Sequence, residues 1–245
     1  MTAAKGHITF TIVYNNIAHD TNLTAEWGMA CVIEGLEKCI LFDTGSNGAI
    51  LLNNMRLQNV QPQNIDIVFL SHAHWDHTGG LHDFLEMNNQ VEIVVPASAR
   101  AELTRSISHQ VTRFTDVTES MPVCENVYST GEMEGMGVRE HALIIDAKTG
   151  LIVVTGCAHP GVVSIAAKAT ALGKKKISLL FGGFHLAGMG DRELKNIIAQ
   201  LHDLGVQHVG PSHCTGERAI EMFQAEWKDK YIDLSLGARF ELQTT

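Results

Sequence analysis

The chain has 245 residues, 45% of them apolar and 18% charged, with a formal net charge of −9. That composition supports a sizeable core and excludes disorder as the main state, because disordered chains are apolar-poor and charge-rich. The negative balance argues against nucleic acid as the main partner, since a phosphate backbone demands basic surface.

No apolar run approaches the roughly 18 residues needed to span a bilayer, so no membrane partner is expected. From Ile8 to Val13 apolar and polar residues alternate, the pattern of a strand and not of a secretory signal. A cytoplasmic protein is expected. Its five cysteines (Cys31, Cys39, Cys124, Cys157, Cys214) are odd in number and scattered, and read as reduced thiols. Strands are expected at Met29 to Glu34 and Cys39 to Phe42, with a turn at Gly35 to Lys38. A helix follows over Asn47 to Leu57, then a buried strand from Ile65 to Leu70. A helix from Thr78 to Glu86 and a strand from Val91 to Val95 come next. Arg105 to Gly137 is weakly patterned and reads as loops. Ala142 to Ile145 and Leu151 to Thr155 flank Lys148-Thr149-Gly150, a hairpin signal. Then come a helix (Gly161 to Leu172), a strand (Ile177 to Phe181), a helix (Asp191 to Leu204), a strand (Val206 to Val209) and a helix (Glu217 to Trp227). With no linker or charge block, residues 1–245 read as one α/β domain. Two mixed sheets pack together, with helices on the outer faces.

Thirteen histidines are many for this length. Ser71-His72-Ala73-His74-Trp75-Asp76-His77-Thr78-Gly79-Gly80 directly follows the strand Ile65 to Leu70 and places four ligand-type side chains within six residues. In extended backbone His72 and His74 project to one side, because side chains repeat every two residues. Imidazole and carboxylate suit zinc or iron, and a catalytic ion takes about three protein ligands and an open position. The bland alternative, a polar loop at a strand end, leaves that density of ligand-type side chains without a purpose. Three later segments put a histidine at a strand end: Thr155-Gly156-Cys157-Ala158-His159-Pro160-Gly161, Phe181-Gly182-Gly183-Phe184-His185-Leu186 and Pro211-Ser212-His213-Cys214-Thr215-Gly216.

The His-x-His-x-Asp-His run resembles the signature of the metallo-β-lactamase-fold superfamily, and Phe42-Asp43-Thr44-Gly45 resembles that superfamily's first motif. The alternative reading of Asp43-Thr44-Gly45-Ser46 as an aspartic-protease segment fails, because that chemistry needs two carboxylates sharing a proton and the chain has one copy. The resemblance, from about Gly28 to His213, implies a four-layer αββα sandwich. It also implies a dinuclear centre in which Asp43 orients ligands without binding metal. The words at Gly156 to Gly161, Gly182 to Leu186 and His213 to Gly216 are similar to a narrower group, the 7,8-dihydropterin-6-methyl-4-(β-D-ribofuranosyl)aminobenzene-5'-phosphate synthases and their bacterial relatives.

On that resemblance His72, His74 and His159 are expected to hold one divalent cation, and Asp76, His77 and His213 the other. Zinc is the first choice, with iron or manganese as alternatives. The superfamily's bridging aspartate is missing, and Cys157 stands at that strand end, either as a soft ligand or as a small buried residue. His141 is a further candidate ligand of lower rank. His185 is read as facing substrate, as a phosphate contact or an acid, against the alternative of a packed ring beside Phe184; Asp76 is placed with it among the catalytic residues. Cys214 reads as structural, His82, His202 and His208 as bland, and His7, His19 and His109 stay unassigned, His19 with a possible reach to the site. Trp27 and Trp75 read as core or as walls for a flat ring.

The expected activity is hydrolysis, by a metal-bound hydroxide, of an ester or phosphodiester-type, phosphorylated small molecule. The second reading is the synthase reaction, which joins an aromatic ribosyl phosphate to an activated dihydropterin with loss of diphosphate. An iron redox protein ranks low because His74 keeps the hydrolytic form of the motif. A non-catalytic metal-binding protein is the reading from another class.

Overall fold

A computed structural model describes residues 6–107 and 113–243. The first half runs β1 (His7–Tyr14), β2 (Ala30–Glu34), β3 (Ile40–Phe42), α1 (Gly48–Leu57), β4 (Ile67–Phe69), α2 (Trp75–Thr78), α3 (Leu81–Met87), β5 (Glu92–Pro96), α4 (Arg100–Ile107) and β6 (Arg113–Val117). The second runs β7 (Met121–Cys124), β8 (Val127–Ser129), β9 (Met133–Gly135), β10 (Val138–Glu140), β11 (Leu143–Ala147), β12 (Gly150–Thr155), α5 (Val162–Gly173), β13 (Ile177–Gly183), α6 (Asp191–Asp203), β14 (His208–Ser212), α7 (Glu217–Trp227) and β15 (Arg239–Gln243).

Two mixed sheets result. One has the strand order β15-β1-β2-β3-β4-β5-β6 and the other β14-β13-β12-β11-β8-β7, with β9 and β10 as a separate hairpin. Strands β3 to β6 are parallel, as are β12 to β14. Strands such as β4 and β13 are apolar at nearly every position because both of their faces are covered. Alternate residues go to opposite sides. Ile67 and Phe69 of β4 meet Leu179 and Phe181 of β13 in the core between the sheets. Val68 faces outward among side chains that include Leu51 of α1 and Phe84 of α3. Leu180 faces the opposite outer layer, with Ile165 of α5, Leu194 of α6 and Phe223 of α7. The arrangement is the four-layer αββα sandwich.

Three elements differ from the sequence reading. The helix expected from Thr78 to Glu86 is two helices, α2 and α3, parted at Gly79-Gly80. A Cβ at Gly79 would collide with Ser46 O and one at Gly80 with Thr44 O, so the break lets the segment press against the end of β3. The stretch read as loops holds β6, β7, β8 and β9 among its described residues. These strands have 3 to 5 residues and, apart from β8, lack alternating burial, so no period-two signal marks them. The C-terminal β15, pairing antiparallel with β1, also had no sequence signal.

Phe181 is fully buried between the sheets, edge-on to Phe10 at 5.3 Å. Phe181→Ala is therefore expected to lower stability by about 3–5 kcal/mol, read from urea unfolding.

Candidate metal centre

Five segments converge at the carboxyl ends of parallel strands, where open α/β sheets place their binding crevices. Asp43 follows β3, and the segment Ser71 to His77 lies beyond β4. Cys157 and His159 follow β12, His185 follows β13, and His213 follows β14. Three of these residues are left-handed although not glycine, Asp43 (φ 56°), His185 (53°) and His213 (53°), and so is Ala158 (58°) between Cys157 and His159. Such strain, of order 1–3 kcal/mol each, persists only where the surroundings over-determine it, and it concentrates at functional sites.

Ligand atoms of His72, His74 and His159 lie within 4.8 Å of one another, as do those of Asp76, His77, Cys157 and His213. All are buried except His74. In four of the histidines the Nδ1 side is already engaged. His77 Nδ1 donates to Asp43 Oδ2 at 2.7 Å and His159 Nδ1 to Glu140 Oε2 at 2.8 Å. His72 Nδ1 donates to Ser71 Oγ at 2.8 Å, whose hydroxyl in turn donates to Asp43 Oδ2. His213 Nδ1 donates to Asn16 Oδ1 at 3.0 Å. The amide of Asn16 is itself fixed, because its Nδ2 donates to His213 O and its Oδ1 also accepts from Gly28 N. Each ring is thereby held as the tautomer with a free lone pair at Nε2, the form that binds metal.

His72 Nε2 and His213 Nε2 are buried without a hydrogen bond, although His213 Nε2 is 3.3 Å from Asp76 Oδ2. Buried polar atoms are ordinarily paired. Two orphaned imidazole nitrogens in a nest of histidines, a carboxylate and a thiol fit divalent cations by position and by chemistry.

For His72 and His77 the electrostatics agree with neutral rings. Burial holds His72 down to about 3 and His77 down to about 4, each helped by a neighbouring histidine. Burial pushes Asp43 up to about 7 against the opposing pull of His72 and the Ser71 hydrogen bonds. Burial would likewise raise Asp76 and Glu140. The imidazoles of His213 and His77 hold Asp76 below the usual carboxylate range. Glu140 is held down by the His159 hydrogen bond and by the backbone N–H groups of His159 and Ala158.

Glu140, fully buried at the end of β10, accepts from Cys157 N, Ala158 N and His159 N at 2.8–3.0 Å as well as from the His159 ring. Asn16, Ser71 and Glu140 were not read from sequence as orienting residues. Asn16 is 197 positions from the histidine it holds, and nothing local announces it. Trp27, 48% exposed, donates its indole N–H to Asp76 Oδ2 at 2.8 Å and packs on the His213 ring at 5.0 Å. Trp75 is 62% exposed beside the ligand segment. Neither is a core residue.

His141 is elsewhere. It lies flat on Phe69, with Nε2 on Leu70 O and Nδ1 on Ser129 Oγ, and it ties the two sheets together with both nitrogens engaged. His185 sits at the centre's edge, 4.6 Å from the His159 ring, and Cys214 lies beside it and Cys157. His185 is shifted up chiefly by Cys214. His19 pairs with Asp233 at 3.0 Å. His82 adjoins Asp83, His202 stacks on Trp227, and His208 bonds Ser178 O. His7 begins β1, exposed, and His109 lies outside the described residues.

This fold and this cluster define a class. The chain belongs to the metallo-β-lactamase superfamily, whose family model matches residues 28–155. It is 28% identical to the 7,8-dihydropterin-6-methyl-4-(β-D-ribofuranosyl)-aminobenzene-5'-phosphate synthase of Methanocaldococcus jannaschii, over 93% of this chain and 94% of that protein. It is also similar to Tm1679, a metal-dependent hydrolase of the β-lactamase superfamily, with 25% identity, a TM-score of 0.80 and coverage of 96% of this chain and 99% of that one. The metallo-β-lactamase fold protein YhfI from Bacillus subtilis has a TM-score of 0.68 at 14% identity, covering 97% and 100% of the two chains. No helix among the described residues is long and apolar enough to cross a membrane.

Glu140→Gln turns an amide N–H₂ toward donors that need an acceptor. Elemental analysis across a chelator series is expected to show metal affinity lower by about 10–100-fold. His141→Gln, which touches neither ligand group, is expected to keep the wild-type metal content.

Proposed function

We propose that the chain is a metal-dependent enzyme acting on phosphorylated small molecules, and that its reaction is group transfer of the kind named for the Methanocaldococcus jannaschii relative. In that reaction an aminobenzene ribosyl phosphate is joined to an activated dihydropterin. The observation that carries the metal dependence is the set of four imidazoles, each fixed through Nδ1, with Nε2 of His72 and His213 left buried and unpartnered. What favours transfer is likeness to the synthase along nearly the whole of both chains.

Two divalent cations are proposed, one at His72, His74 and His159 and one at Asp76, His77 and His213 with Cys157. Zinc is favoured because a thiol joins imidazole and carboxylate in the set. When bound, such cations supply Lewis acidity and positive charge for the oxygens of a phosphate or diphosphate. The protein's own groups do the rest. Asp43, Ser71, Glu140 and Asn16 hold the ligand rings in one tautomer and one orientation. Trp27 fixes Asp76 through its indole N–H and, with Trp75, gives the rim two exposed aromatic surfaces on which a flat ring can lie. His185, next to His159 but in neither set, is placed to hold a phosphate oxygen or pass a proton to a departing one.

The second reading, hydrolysis, is supported by the likeness to Tm1679. One experiment separates the two. The zinc-loaded protein is incubated with 4-(β-D-ribofuranosyl)aminobenzene 5'-phosphate and a 6-hydroxymethyl-dihydropterin diphosphate, singly and together, and products are followed by mass spectrometry. Transfer requires a coupled product and diphosphate release only when both substrates are present. Diphosphate or phosphate released from one substrate alone, or turnover of bis(p-nitrophenyl) phosphate without coupling, makes it a hydrolase. Metal tightly held with no turnover of any of these leaves a binding protein. On whichever substrate turns over, His185→Ala is expected to lower kcat by about 10²-fold or more while metal content by elemental analysis stays at the wild-type value.

A further inference from the structure

Cys157 belongs to two clusters at once. Its Sγ lies 3.2 Å from His77 Nε2 in the Asp76, His77 and His213 group. It also forms, with His185 and Cys214, a third group whose ligand atoms all lie within 4.8 Å of one another. The three residues of this group come from the ends of β12, β13 and β14, so the fold and not local spacing brings them together. The cluster has room made for it. A Cβ on Gly183 would stand 2.7 Å from Cys214 Sγ and would also meet Gly156 O, so a side chain there would displace the sulfur. The polar atoms of the group are poorly used. The Cys214 thiol makes a long contact to Cys157 O at 3.7 Å and lies against Cys157 and His185, and His185 Nδ1 is buried with no hydrogen-bond partner. Both cysteines are reduced and buried, whereas His185 is only partly covered and offers a way in.

Two sulfurs and an imidazole are the donor set of zinc and other thiophilic cations, and hard cations such as magnesium avoid it. A tetrahedral zinc ion with bonds of about 2.0–2.3 Å wants donors roughly 3.5–4 Å apart, which small side-chain rotations would provide. The alternative, two packed thiols under a strand end, leaves the orphaned His185 nitrogen and the shared sulfur without a purpose.

We propose that Cys157, His185 and Cys214 form a third, thiophilic cation position that shares the Cys157 sulfur with the neighbouring cluster, and that a zinc or cadmium ion bound there inhibits the enzyme. Binding releases the Cys214 thiol proton, and the Cys157 proton as well where no cation already holds that sulfur, and it forms two metal–sulfur bonds and one metal–nitrogen bond. The ion takes the nitrogen of His185 away from substrate and draws electron density from the Cys157 sulfur. The inhibitory half of the proposal rests on the reading of His185 and of the two metal clusters given above; the binding half does not.

The test uses cadmium as probe. The reduced chain, with whatever metal it carries on purification, is titrated with Cd²⁺ while the sulfur-to-cadmium ultraviolet band is followed, and bound metals are counted after gel filtration. The wild type is expected to gain one equivalent of cadmium beyond its purified content. Cys214→Ser and, as a second variant should the first fold poorly, Cys214→Ala are expected to lose that equivalent and at least half of the band while keeping the purified metal. Cadmium uptake and band equal to wild type in a folded Cys214 variant would overturn the proposal. Cys214-dependent uptake in a protein that arrives without metal would sustain the site and count instead against the dinuclear reading. With any turnover in hand, zinc at ten times its dissociation constant for this position should lower the wild-type rate about tenfold and leave the Cys214→Ser rate at its own starting value. Equal inhibition of both would remove the inhibitory role.

Discussion

Asp43 is fully buried, and every hydrogen bond it accepts comes from the segment that follows β4. Its Oδ1 takes the Ser71 N–H at 2.7 Å, and its Oδ2 takes the Ser71 hydroxyl and the His77 ring. Through Ser71 the same carboxylate reaches His72. One charge at the end of β3 thus sets two imidazoles on the neighbouring strand's loop. Burial raises this carboxyl and its hydrogen bonds oppose that rise, so the group keeps its donors close: a buried carboxylate left without them would be far more expensive. The orientation of the ligand rings depends on that constraint.

The same device recurs on the other sheet with different parts. Glu140 closes β10 and gathers three successive backbone N–H groups of the turn Cys157-Ala158-His159, forcing Ala158 left-handed, and then orients His159. Asn16, between β1 and β2, does for His213 what the carboxylates do for the others, with an amide whose two ends are separately pinned. Each half of the sandwich therefore contributes histidines to the cluster and the residues that orient them, placed at or just beyond strand ends. His74 is the exception. It is exposed, and its ring stands edge-on to both His72 and His159 at 4.7 and 4.9 Å.

The sequence carried the ligand-bearing words and the strands beneath them, because a strand buried on both faces is a compact apolar run and a histidine-rich loop has few other uses. It carried little about what orients those ligands. Glu140 adjoins His141, and of the two the histidine drew attention on residue type, yet it is the sheet-to-sheet tie while the glutamate organises the centre. Asn16 is one asparagine in a polar loop. Its role exists only once β14 is laid beside it by the fold. The half-exposed strands β6, β7 and β9 escaped for a related reason, since neither of their faces is consistently buried and periodicity is a record of burial. Gly79 and Gly80 were visible as residues, but the close approach of Ser46 and Thr44 that requires them belongs to the tertiary structure.

Cys157 shows how a change of one ligand type carries outward from the site. A carboxylate at this strand end would be a hard, doubly oxygenated group able to face two cations with two atoms. A thiol offers one soft atom, and it brings a preference for zinc over magnesium or manganese. It also permits a second sulfur nearby, since Cys214 and Cys157 can share a proton where two carboxylates so placed would repel. In this pair the Cys157 S–H lowers the neighbouring Cys214 thiol against the opposing effect of burial. Gly183 keeps the space the second sulfur occupies. The thiol is thus accompanied by a second sulfur, with His185 beside both. Cys157 therefore joins the group around His77 to the group that Cys214 and His185 complete.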